Sequence, residues 1–283
     1  MPSPARFAEL VDRYDAFLFD AYGVLVDSSG VCTGAATAIA HVRAAGKPLR
    51  VVTNDASRLP TNAAARFAGV GLPITEDEIV SSGQLLVGHV AAAGLAGGRA
   101  LVLGTDDARA YVRLAGLEPL TAAQLGGTGA DADLDAIVVS DDAGFALLEG
   151  INAALTAAVH ALDRGRPLAL ICPNPDIIYP RGGGALGFTA GGLALMLEAG
   201  MRRRYPGAPG FAYLGKPAPA IFALAQATLP DGARPLMIGD QLETDIAGAC
   251  GAGLECALVT GVSRWRDGDG IAHIPHWLLD DLS

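Results

Sequence analysis

DAFLFDAYG, residues 15–23, carries four apolar residues in an unbroken run, Ala16 to Phe19, and then an acid, Asp20, followed by Ala21, Tyr22 and Gly23. A short apolar run without polar alternation suits a strand covered on both faces, as in a parallel sheet. Gly23 permits a tight turn directly after it, because glycine adopts backbone angles that other residues avoid. Working outward, residues 34–45 read as a helix closed by Gly46, and Leu49–Thr53 as a second apolar strand that ends in a polar residue. A helix over 60–68 and a strand near 78–80 follow. Further along, strands are expected at 100–104, 136–140, 167–172, 211–214, 235–239 and 255–260, with helices at 106–115 and 146–162. The Gly-, Ala- and Asp-rich stretch 121–133 reads as a loop over a short helix. Alternation of strand and helix predicts an α/β fold with a parallel sheet, its functional groups gathered at the carboxyl ends of the strands.

Composition narrows the class. The chain has 283 residues, 51% of them hydrophobic and 18% charged, which describes a globular protein. A formal net charge of −10 argues against a nucleic-acid partner, which needs a basic surface, but not against one small phosphorylated metabolite. The four cysteines (Cys32, Cys172, Cys250, Cys256) form no CxxC pair and lie near no histidine in sequence, so zinc and a disulfide framework are not expected; buried thiols in a reducing compartment are. Residues 1–15 lack the apolar segment of a secretion signal. The uncharged stretches 79–98 and 182–197 are interrupted by Gly, Ser, Gln or His, so no membrane span is expected, and a cytoplasmic location follows as the expectation.

Four segments place a polar group just after an apolar strand. FLFDAYG (17–23) supplies Asp20, VVTND (51–55) supplies Thr53 and Asn54, and YLGKP (213–217) supplies Lys216 before a helix starting near Pro217. MIGDQLETD (237–245) supplies Asp240 at the strand end and Asp245 in the first turns of the next helix. Lys216 is one of only two lysines against 18 arginines, which suits a position requiring a compact ammonium. If the strands share one parallel sheet, three carboxylates, a hydroxyl, an amide and an ammonium converge at one edge. Three packed carboxylates repel, and a Mg²⁺ ion relieves that repulsion while taking a substrate phosphate as a further ligand. Asp20 is then placed to attack phosphorus and carry an aspartyl-phosphate.

At these residues the sequence resembles the haloacid dehalogenase superfamily of hydrolases, through FLFDAYGVLVD, VVTND, LGKPAP and MIGDQLETDIAGACGAG. CPNPDIIYPRGGGALGFTAGGLALMLEAG (172–200) is similar to the stretch where the subclass of p-nitrophenyl phosphatase-like enzymes leaves its cap. The resemblance implies a Rossmann-like core over 1–83 and 177–283 with an inserted α/β cap over 84–176, hinged near Gly83 and Asp176. It implies Asp20 as nucleophile and metal ligand, Thr53 with Asn54 as phosphoryl binders, and Lys216 as the stabilising charge. Asp240 would ligate Mg²⁺, as would Asp245 directly or through water and Tyr22 through its backbone carbonyl. Asn174 and Asp176 would lie at the hinge near substrate. Caps of this kind form dimer contacts in related proteins, so a homodimer is a further expectation.

One position departs from the pattern. Phosphatases of the family usually carry a second aspartate two residues after the nucleophile, as general acid and base; here the residue is Tyr22. A phenol with an ordinary pKa of about 10 is a poor substitute. Three readings stay open: a phosphatase with altered leaving-group chemistry, with Asp55, Asp141, Asp142 or Asp176 as a replacement acid; a non-catalytic phospho-ligand binder; and a dehalogenase, whose family wording DAYG matches but which leaves Asp240 and Asp245 without a purpose. The histidines and the Arg202–Arg204 run, after a helix expected to end at Gly200, read as surface or core residues, and Trp265 and Trp277 as packing near the carboxyl terminus.

Overall fold

The computed structural model describes residues 1–126, 133–182, 185–260 and 273–283. Two compact units emerge. The first comprises Met1–Thr53, Pro60–Val80 and Lys216–Ser283; the second comprises Asn54–Leu59 and Ser81–Gly215.

In the first unit the chain begins with β1 (Ser3–Pro4), α1 (Phe7–Val11), β2 (Ala16–Phe19), the short pair β3 (Val26–Asp27) and β4 (Gly30–Val31), α2 (Ala35–Ala44), β5 (Leu49–Thr53), α3 (Pro60–Gly69) and β6 (Ile79–Ser81). The second unit contributes α4 (Leu85–Ala92), β7 (Arg99–Leu103), α5 (Asp106–Leu114), β8 (Glu118–Leu120), β9 (Ala136–Val139), α6 (Leu147–Asp163), β10 (Ala169–Cys172), β11 (Ile178–Gly182), β12 (Ala185–Phe188), α7 (Ala190–Arg204) and β13 (Ala212–Tyr213). The chain then returns to the first unit with α8 (Pro219–Gln226), β14 (Pro235–Gly239), α9 (Ala247–Gly251), β15 (Glu255–Val259) and β16 (Trp277–Leu279).

The first unit is built on a seven-stranded sheet in the order β1-β16-β15-β14-β2-β5-β6. β2 is parallel to both β14 and β5, with Phe19 opposite Ile238 on one side and Val51 on the other. All four of its residues are buried, which is why the run shows no alternation. Phe7, Phe17 and Phe19 pack ring to ring on one face, with centroids 5.6 and 5.7 Å from Phe7, within the range of favourable aromatic pairs. α2 is preceded by Gly34, whose φ of +78° and whose distance of 2.3 Å from a would-be Cβ to the Leu282 carbonyl carbon leave no room for a side chain.

The second unit has its own parallel sheet, β13-β10-β9-β7-β8, with α6 and α7 packed on it. β11 and β12 form an antiparallel hairpin, Ile178 opposite Phe188. Residues 177–215, expected in the core, lie in this unit, because Leu193, Ala194, Leu197 and Met201 of α7 bury their side chains against Leu101, Ile137 and Leu170. The strand expected at 211–214 pairs with β10 of this sheet. α7 continues to Arg204 rather than ending at Gly200, and its last turn pairs Arg202 with Glu198 and Arg204 with Asp163. The helix after Lys216 starts at Pro219, two residues later than read from sequence. Trp277 donates its Nε1–H to the Tyr14 hydroxyl at 2.6 Å; Trp265 and part of 121–133 lie outside the described residues. Among the described residues no helix is long and apolar enough to cross a membrane.

Candidate active site

β2 and β14 are adjacent and parallel, so the residues that follow them stand side by side. The Asp20 N–H continues the ladder by donating to the Ile238 carbonyl at 2.8 Å, and Asp240 follows β14 directly. Asp245 sits in a single π-helical turn, Leu242–Ile246, that runs into α9. Its Oδ2 accepts the backbone N–H groups of Asp240 (3.2 Å) and Gln241 (3.1 Å), which fixes the carboxylate against the end of β14.

Lys216 joins these carboxylates. Its Nζ donates to Asp20 Oδ1 at 2.6 Å, to Asp245 Oδ1 at 2.7 Å and to the Val52 carbonyl at 3.0 Å. An ammonium has three protons, and all three are used. The side chain is only 3% exposed, and an unpaired charge there would carry a large desolvation cost. Burial pulls the Lys216 pKa down, but the charges of Asp20 and Asp245 more than reverse it, so the ammonium is held protonated.

Asp20, Asp240 and Asp245 are all buried, and each offers a carboxylate oxygen within 4.8 Å of the others. Burial, with the charges of Asp20 and Asp245 added, pushes Asp240 up to about 9. Asp245 rises to about 6, chiefly through burial, with the lysine opposing. Asp240 Oδ1 is buried with no hydrogen-bond partner among the described residues. Buried polar atoms are almost always satisfied, so an orphaned oxygen beside two other carboxylates calls for a cation. The donor set is entirely hard oxygen and fits Mg²⁺.

Two glycines make this packing attainable. A Cβ on Gly23, whose φ is +98°, would lie 2.3 Å from Asp240 Oδ2, and one on Gly239 would lie 2.1 Å from the Asp245 Cβ. The sequence reading recognised the turn at Gly23 but missed Gly239 and the Val52 carbonyl; a glycine immediately preceding a strand-end acid was the available signal for the former.

Thr53 ends β5, next to β2, in the same unit. Tyr22 is partly buried against the core of that unit. Asn54, Asn174 and Asp176 belong to the second unit, where Asn54 Nδ2 donates to Asp176 Oδ1 at 2.9 Å. There the Asp176 N–H donates to Asn174 Oδ1 at 3.1 Å, and Asn174 Nδ2 donates to Thr189 Oγ1 at 3.0 Å. Of the other acids considered, Asp55 is tied to Ser57 and Arg58, and Asp141 is pushed up to about 7 by burial and by Asp142.

Comparison with known proteins matches this frame. A family model described as haloacid dehalogenase-like hydrolase covers residues 17–118, and a HAD-hydrolase-like model covers 213–283. The glycerol-3-phosphate phosphatase of Gallus gallus is 32% identical over 266 residues, spanning 89% of this chain and 82% of that protein. The crystal structure of a possible sugar phosphatase from Cytophaga hutchinsonii superposes with a TM-score of 0.83 at 29% identity, covering 100% of this chain and 99% of the other. A glycerol phosphate phosphatase from Mycobacterium tuberculosis, solved in complex with magnesium, superposes with a TM-score of 0.74 at 26% identity, covering 99% of this chain and 77% of that one. The chain belongs to the haloacid dehalogenase-like hydrolases.

Proposed function

We propose that this chain is a Mg²⁺-dependent phosphatase of a small phosphomonoester, of the sugar-phosphate or cofactor-phosphate class, working through an aspartyl-phosphate on Asp20. The observation that carries the reading is the buried set of Asp20, Asp240 and Asp245 joined to Lys216, with Asp240 Oδ1 left without a partner among the described residues. Asp20, Asp240, Asp245 and the Tyr22 backbone carbonyl would hold the ion, which neutralises phosphoryl charge when bound. The relatives named as phosphatases of glycerol phosphate and sugar phosphate favour a small polyol or sugar phosphate as substrate.

Lys216 fixes one Asp20 oxygen and orients the carboxylate for attack on phosphorus, so the new bond to phosphorus replaces the ester bond to the leaving group. Thr53, with Asn54, would donate to the phosphoryl oxygens. With Tyr22 where a carboxylic acid usually stands, leaving-group protonation is weak. Sugar and polyol phosphates, whose leaving alkoxide needs a proton, are therefore expected to turn over more slowly than aryl esters, whose leaving group is stable as an anion. We extend the reading to the second unit as a substrate-selecting cap, with Asn174 and Asp176 at its hinge; the Asn54–Asp176 bond supports it by tying the residue after Thr53 to segment 174–176. The exposed apolar side chains Ile178, Leu186 and Phe188 of the hairpin support a homodimer through that face.

The test is hydrolysis of p-nitrophenyl phosphate with Mg²⁺ and with EDTA. Turnover that needs metal and disappears in Asp20→Asn supports the proposal. Turnover retained by Asp20→Asn refutes the nucleophile, and absence of turnover with a measurable phosphate affinity would favour a phospho-ligand-binding protein.

A further inference from the structure

Cys250 and Cys256 lie six residues apart on either side of the turn from α9 into β15, and the fold brings their sulfurs to 3.7 Å. Cys250 is half-buried, whereas Cys256 is fully buried in a strand held between β14 and β16. His276 stands beside the pair. Its Nδ1 accepts the Cys256 backbone N–H at 3.2 Å, so it carries a lone pair there, and it is 3.7 Å from Cys256 Sγ. None of these three residues has a part in the chemistry described above.

We propose that Cys250 and Cys256 are a reversible dithiol whose closure to a disulfide lowers turnover; the effect on turnover rests on the phosphatase reading, while the linkage does not. The oxidant is a low-molecular-weight disulfide. The Cys250 thiolate attacks one of its sulfurs, forming a mixed disulfide and expelling one thiolate. Cys256 then gives its proton to the first expelled thiolate, attacks Cys250 Sγ and expels the second thiolate. Two protein thiols are oxidised and one disulfide is reduced to two thiols. The order follows from burial, which with the neighbouring Cys250 raises the Cys256 thiol well above its usual range and leaves the more exposed Cys250 to react first.

Closure requires the sulfurs to approach to ~2.05 Å. The Cys256 backbone is held in the sheet, so part of the movement falls on Cys250 and the end of α9 that carries it. α9 has little slack: a Cβ on its Gly248 would meet the Phe222 ring at 2.5 Å and Pro217 Cα at 3.0 Å, directly after Lys216. Asp245 lies in the π-helical turn that runs without a break into α9, and its bond to Lys216 is 2.7 Å. A shift of α9 therefore misplaces Asp245.

The experiment exposes the reduced full-length chain, Cys250→Ser and Cys256→Ser to glutathione disulfide. Peptide mapping without reduction reads the linkage, and Mg²⁺-dependent hydrolysis of p-nitrophenyl phosphate reads activity. The wild type is expected to give a Cys250–Cys256 linked peptide and to lose turnover by about tenfold or more, since small misplacements of site groups are costly in rate. Dithiothreitol should restore it, and both serine variants should keep the reduced enzyme's activity and resist the oxidant. A stable glutathione adduct on Cys250 without the linkage overturns the proposal. So does a linked protein with unchanged turnover, or inactivation that persists in Cys250→Ser. Should the reduced wild type show no turnover, the phosphatase reading fails by itself. The linked peptide and a diminished thermal shift on Mg²⁺ addition then decide the switch.

Discussion

Removing the metal and varying pH tests the carboxylate cluster most directly. In the metal-free chain Asp240 titrates at about 9, raised by burial and by Asp20 and Asp245. An aspartate in the unfolded chain titrates near ~3.9. Between these values the folded state holds a proton that the unfolded state has released. The stability this confers is therefore fully present below the unfolded value and is lost as pH rises toward about 9. One proton of difference is worth ~1.4 kcal/mol per pH unit, so wild type in EDTA should lose about 4 kcal/mol between about pH 5 and about pH 8. Asp245, raised to about 6, and Asp141, raised to about 7, add slope of the same sign over the lower part of that window. Mg²⁺ needs the carboxylates deprotonated, so its stabilisation should grow with pH. Urea denaturation at fixed ionic strength, with EDTA and with Mg²⁺, measures both trends. Asp240→Asn isolates the group, and its slope in EDTA should be flatter by close to one proton. Equal slopes for wild type and Asp240→Asn, or greater Mg²⁺ stabilisation at the acidic end, would refute the reasoning.

Tyr22→Asp should raise turnover of alkyl phosphate esters by ~10²-fold or more while changing p-nitrophenyl phosphate less, because only the poorer leaving group needs the proton; the ratio of kcat values across a leaving-group series checks this. Gly23→Ala places a methyl group on Asp240 Oδ2 at a φ of +98° and should abolish Mg²⁺-dependent turnover, with a lowered Tm as the independent reading. Lys216→Met leaves Asp20 and Asp245 buried without their cation and should destabilise the chain by ~3–5 kcal/mol at neutral pH, less in acid, as measured by urea denaturation. Phe188→Ser on the exposed hairpin should shift a dimer toward monomer in analytical ultracentrifugation without lowering monomer stability.

The strands that position the candidate site were legible because they are largely buried on both faces: β2, β5 and β14 read as apolar runs ended by a residue of that site. The hairpin β11–β12 was not, since proline, arginine and glycine break any alternating pattern across Ile178–Gly182. α7 and β13 were assigned to the core because an apolar helix or a two-residue strand carries no mark of which sheet it will pack on.

By itself the amino-acid sequence determined the strand–helix alternation, the family resemblance and the acids and lysine that stand at strand ends. Tertiary structure decided what those groups do to one another. Asp20 and Lys216 are 196 residues apart in the chain and 2.6 Å apart in space. Only the parallel pairing of β2 with β14 places three carboxylates within 4.8 Å, leaves Asp240 Oδ1 without a partner among the described residues and raises its pKa. Likewise the cysteines read as scattered until the α9–β15 turn brought Cys250 onto Cys256. The reason is common to both cases. Local propensity sets which residues end an element, whereas charge coupling, desolvation and contact distance depend on which elements become neighbours.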